Sequence, residues 1–116
     1  MTNSSAALDR VFHALADPTR RAIVQRLGRG PASVSELAKP LSMALPTVLQ
    51  HIQVLESSRL IRSAKAGRVR TCHLEPIALS SIEHWIGQQR TVWEQRLDRM
   101  ETYVKALHDK GGKHGK

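Results

Sequence analysis

The chain has one cysteine, Cys72, among 116 residues. An intramolecular disulfide is impossible, and a zinc site built from four cysteines is excluded. A lone thiol suits a reducing compartment. No apolar run approaches the roughly 18–20 residues that span a bilayer, so no membrane partner is expected. The opening Met1-Thr-Asn-Ser-Ser5 has neither a cationic start nor an apolar stretch. No secretory leader is therefore expected, and the cytoplasm is the expected location. No Gly-rich phosphate loop, nucleophile–base pairing or carboxylate pair stands out. Gly28-Arg29-Gly30 reads as a helix stop. No enzyme, cofactor or resident metal is expected.

Acidic residues are also scarce: 10 against 18 Lys and Arg, a net charge of +8. Such an excess sets up a positive field that favours polyanions, mainly nucleic acid or an anionic membrane. The length suits a single domain with a modest core, one that a partner subunit would help to stabilise. That domain is expected over residues 1–109. Residues 110–116 hold no apolar side chain and are expected as a disordered basic tail.

Helical spacing places Leu8, Phe12 and Leu15 on one face of a first helix, about residues 6–16. Asp17 offers an N-cap and Pro18 fits the first position of a second helix, where its missing N–H costs nothing. That helix stops at Gly28 to Pro31. Ser33-Val-Ser-Glu36 reads as a capping box opening a short third helix. Pro46 is tolerated only in a first turn, which sets the start of a fourth helix, about residues 45–58. Val48, Ile52 and Leu55 point inward from it; Thr47, Gln50, His51 and Gln53 point outward or sideways. Residues 61–74 form a hairpin turning near Ala66-Gly67, and Pro76 opens a last helix expected to reach about His108.

The third and fourth helices, joined by a short turn, form a helix-turn-helix. A helix fits the major groove of B-DNA with its N-terminal residues facing the bases. Gln50 can pair bidentately with adenine. Thr47, Leu49 or Leu45 can touch a thymine methyl, and His51 can donate to a base or a phosphate. The hairpin that follows gathers Arg62, Lys65, Arg68 and Arg70. These suit flanking phosphates or an adjacent minor groove, or they protect a strand edge from pairing with other chains. Arg20 and Arg21 can meet phosphate or serve as structural partners. Cys72, two residues from Leu74, is either a buried structural thiol or a sensor activated by Arg70.

The last helix carries Ile82, Ile86, Trp93, Leu97, Met100, Val104 and Leu107 at spacings of three, four and seven, with Trp85 beside them. This stripe either packs on its own domain or pairs with a second copy, with Leu8 and Phe12 of the first helix contributing. A twofold pair would set two recognition helices about one DNA turn apart, ~34 Å, and call for an inverted-repeat target.

From about Leu8 to Leu107 the chain resembles the ArsR-type winged helix-turn-helix repressors. The resemblance rests on Phe12-His-Ala-Leu-Ala-Asp-Pro-Thr-Arg-Arg-Ala-Ile23, Val34-Ser-Glu-Leu-Ala38, Leu45-Pro-Thr-Val48, His51-Ile-Gln-Val-Leu-Glu56, Leu60-Ile-Arg62 and Gly67-Arg68. It implies a mainly α fold with a small β-hairpin wing, in the order ααααββα. It also implies a homodimer through the first and last helices that binds double-stranded DNA and is usually released by an effector, which these residues do not name. The departures bear on the effector. Ser33 and Ser35 stand where the family's metal sensors carry a Cys-Val-Cys pair. The last helix offers only His84 and His108, 24 residues apart, without the carboxylate pattern of the zinc-binding members. Ala44 replaces a frequent Ser ahead of Leu45-Pro46. Two readings follow: a sequence-specific repressor, or a winged-helix protein-interaction dimer without specific DNA binding.

Overall fold

Three helix starts in the first part of the molecule are set by a capping side chain, a proline, or both. In the computed structural model, which describes residues 2–114 and side chains from 6 to 110, α1 spans Thr2–Leu15 and α2 spans Pro18–Leu27. Asp17 caps α2: its Oδ2 accepts from the Arg20 N–H at 3.0 Å, with Pro18 in the first turn. The short α3, Val34–Ala38, opens with the expected capping box. Ser33 Oγ accepts from the Glu36 N–H, and Glu36 Oε1 accepts from the Ser33 N–H, both at 3.1 Å. Helix α4 runs Leu45–Ser57 with Pro46 in its first turn and no side-chain cap at Ala44. It ends in a Schellman arrangement. The Leu60 N–H reaches the Leu55 carbonyl, the Arg59 N–H reaches Glu56, and Arg59 takes a left-handed φ of 65°.

The wing is β2, Ile61–Ala66, and β3, Val69–Leu74, in antiparallel register from Ile61–Leu74 to Ala66–Val69. The central turn residues are Gly67 and Arg68, one position later than expected. Gly67 has a φ of 63°, and Arg68 does not share the positive sign, as in a turn with glycine in its first central position. A third strand was not foreseen. β1, Ala32–Ser33, pairs with β3 through Ala32–Cys72 and Ser33–Thr71, so the sheet order is β1-β3-β2. The element order is ααβααββα rather than ααααββα. Two residues carry no alternation to read; their only local signal is Pro31, which favours extended backbone around it.

Packing divides the chain into residues 1–82 and residues 83–116. The first unit closes on its own core: Val11, Ala14, Ile23, Leu27, Leu37, Val48, Ile52, Leu55, Leu60, Ile61 and Cys72, joined by Ala78 and Ile82 from the start of α5. The second unit is the remainder of α5, Pro76–His114. Its Ile86, Trp93, Leu97, Met100, Val104 and Leu107 are all exposed, with Trp93 at 68%. From Trp93 onward they alternate by four and three residues, the 3.5-residue period of a coiled-coil seam. The helix passes the expected end near His108. Residues 110–114 of the segment read as a disordered tail are helical backbone, and Gly115 and Lys116 lie outside the described residues.

Candidate nucleic-acid interface

The last carbonyls of a helix have no partner within it. Here the two arginines after the Asp-Pro junction supply those partners. Arg20 donates from Nε to the Ala14 carbonyl at 2.7 Å and from Nη2 to the His13 carbonyl at 3.0 Å. Arg21 Nη1 donates to the Leu15 carbonyl at 2.8 Å. Both side chains were candidates for phosphate. Their guanidinium groups are instead engaged at the end of α1, where a cation also meets the negative end of the helix dipole.

The third arm of Arg20 reaches α4. Its Nη1 lies 3.3 Å from His51 Nδ1. A guanidinium has only donors, so Nδ1 accepts and the imidazole proton sits on Nε2. Asp17 Oδ2 lies 4.0 Å from the same nitrogen. An ion pair there would need a proton on Nδ1, which the Arg20 contact opposes; the hydrogen bond is the better description. His51 was expected to meet a base or a phosphate. One of its two ring nitrogens is instead committed inside the protein, and the ring is mostly covered. It locks α4 to the α1–α2 junction. The Asp17 carboxyl is held below its ordinary range, chiefly by the Arg20 N–H it accepts.

The rest of α4 matches the expected outer face. Thr47, Leu49 and Gln50 are exposed, as are Leu45 and Gln53. Among the described residues, Thr47 and Gln50 make no side-chain hydrogen bond within the protein.

The wing cations divide. Arg62 Nε pairs with Glu75 Oε1 at 3.0 Å. Arg70 Nη1 donates to Ser63 Oγ at 2.9 Å, and that hydroxyl donates to Glu56 Oε1 of α4 at 2.7 Å. Lys65 and Arg68, flanking Gly67, are exposed and have no partner among the described residues. The Glu56–Ser63–Arg70 chain was not anticipated; a serine on a strand and a glutamate at a helix end give no sequence signal of meeting. Cys72 is fully buried, and burial pushes its thiol pKa up, with Glu56 adding to the rise and Arg70 opposing it. That environment fits the packing role rather than an activated thiolate. Leu8 is half-buried against the core, while Phe12, Trp85 and Ile86 are exposed. Among the described residues no group of three His, Cys, Asp or Glu could hold a metal ion. No helix among them is long and apolar enough to cross a membrane.

A helix pair with an exposed polar second helix, followed by a cationic two-stranded turn, defines the winged helix-turn-helix class. A helix-turn-helix domain family matches residues 15–64. The HTH-type transcriptional regulator Rv2034 of Mycobacterium tuberculosis is 47% identical over 74 residues, covering 64% of this chain and 69% of that protein. The transcriptional repressor SdpR of Bacillus subtilis is 25% identical over 79 residues, covering 68% and 88%. Among solved structures, the ArsR family transcriptional regulator RHA00566 superposes with a TM-score of 0.76 at 53% identity, covering 78% of this chain and 93% of that one. The chain belongs to the ArsR family of winged helix-turn-helix transcriptional regulators. This favours a DNA-binding regulator over a protein-interaction dimer.

Proposed function

We propose that the chain is a repressor that binds an inverted-repeat operator as a homodimer. In this reading α4 enters the major groove, Thr47, Leu49 and Gln50 face base edges, and Lys65 and Arg68 meet the flanking phosphates. The observation that carries it is the pairing of two unsatisfied sets: the polar side chains of α4 and the two wing cations. Arg70 and Arg62 add to the local field while bonded to Ser63 and Glu75. Arg20, Arg21 and His51 hold the reading head in place. The exposed 3.5-residue stripe of α5 supports a second copy as its cover, with Phe12 and Leu8 contributing from α1. A repressor among the relatives supports the sign of regulation. A DNA partner supports a cytoplasmic location.

The test is selection from random duplexes with the full chain, then titration of the selected site at several salt concentrations. The expected result is an enriched inverted repeat bound well above unrelated DNA. Arg68→Ala should weaken all duplexes alike and, with one Arg68 in each of the two copies, lower the magnitude of the salt slope by about two. Weak, sequence-blind binding would overturn the proposal.

A further inference from the structure

Helix α4, Leu45–Ser57, contains no Lys or Arg. Those are the side chains that pair with guanine O6 and N7, the commonest specific contact in the major groove. What the helix does present is Leu45, Pro46, Thr47, Leu49, Gln50 and Gln53, all exposed. At 3.6 residues per turn, Val48, Ile52 and Leu55 fill the inward arc. Leu45 and Leu49, four apart, stack along one edge of the outward arc, with Pro46 and Gln50 beside them. Leu45 is 51% exposed and Leu49 42% exposed. Two leucines side by side on the reading face of a basic domain are not explained by solvation. The apolar feature that a major groove offers is the thymine C5-methyl group.

Resting on the DNA-binding reading above, we infer that Leu45 and Leu49 are specificity-determining residues that read thymine methyl groups, making the part of each half-site under α4 rich in A·T pairs. Gln50 supplies the adenine contact through N6 and N7 beside them. The half-site is then chosen by methyl burial and amide pairing, while charge from the wing supplies strength without choice.

Deoxyuridine in place of a single thymine removes the methyl and leaves base pairing intact. The test uses the full chain and the selected duplex, with each thymine of a half-site replaced in turn. One or two replacements should weaken binding about fourfold each, the effect of one buried methyl, and the others should be neutral. Leu49→Ala should bind the thymine and uracil duplexes equally at one of those positions, and Leu45→Ala at the other. Both side chains lie outside the core, so both variants should fold, which their melting curves check. If every uracil duplex binds as tightly as its parent, or if the penalty survives unchanged in both variants, the inference is overturned. If no duplex is selected at all, the DNA-binding reading falls and takes this inference with it.

Discussion

Residues 6–82 and residues 83–110 handle apolar side chains in opposite ways. The first set packs most of its leucines, isoleucines and valines against one another, down to Leu55 and Leu60 with no exposed surface, and leaves Leu45, Leu49, Val69 and Ile77 exposed. The second lays Trp93 and a run of aliphatics along one helix with more than half of most of these side chains exposed. Fully burying one such side chain stabilises by roughly 1.5–3 kcal/mol. The first unit collects that gain within one chain, and the second can collect it only by covering the stripe. Folding of the first is therefore a property of the molecule, whereas under the proposed pairing of two copies the state of the second depends on concentration.

The sharpest break of this comparison pairs two truncations. Leu55→Ala empties the centre of the first unit and should cost about 2–5 kcal/mol at any protein concentration, read as a lowered denaturant midpoint. Trp93→Ala should leave the first unit folded and shift sedimentation from dimer towards monomer. If Trp93→Ala unfolds the chain at every concentration alike, the division fails.

Arg20→Ala comes next. It removes partners from the His13 and Ala14 carbonyls and from His51 at once. About 1–3 kcal/mol of stability should be lost, with a drop in DNA affinity as α4 loses its anchor. Arg20→Lys should not restore either, since one ammonium cannot span three acceptors. Full rescue by lysine would reduce the role to charge alone.

Acid should act on the first unit too. Asp17 and Glu36 both have carboxyls held below the ordinary range, by the Arg20 N–H and the Ser33 N–H respectively. With depressed folded-state values, the unfolded chain takes up protons first as pH falls. Their stabilisation is complete above the usual carboxylate pKa, about 4, and is lost as pH drops through the lower folded-state values. Denaturant midpoints should decline over that window, and less steeply in Asp17→Asn. An unchanged slope in that variant would remove the cap from the account. The smallest expected effect is a gain. Ala44→Ser should supply the missing cap of α4 and stabilise by about 1 kcal/mol.

What the sequence made legible was punctuation. Asp17-Pro18, Ser33 with Glu36, and Pro46 each act through one side chain or one ring on the adjacent turn, so helix starts followed from local chemistry. The wing followed from its glycine and alternation, although the turn sits one residue later than expected. The outer face of α4 followed from its period, with Thr47, Leu49 and Gln50 exposed as expected. Long-range partnerships were not legible. Nothing local says that Arg20 holds α1 and His51 together, or that Ser63 bridges Glu56 and Arg70. Asking where the last carbonyls of α1 go would have found half of that answer. β1 escaped because two residues cannot show a period, and the extension of α5 past His108 runs through Gly111 and Gly112, which weaken the local helical signal.

The smallest element has a wide reach. Ser33 pairs with Thr71 of the wing while its hydroxyl starts α3, and Ser63 of the wing hands a proton donor to Glu56 at the far end of α4. The wing is thus bolted at two points to the helices that would read the bases. On the proposed reading the pair acts as a caliper, with Gln50 and Arg68 as its two jaws and the wing contacts setting the gap between them. Inserting or deleting one base pair within a half-site would leave one jaw seated and the other over the wrong phosphate.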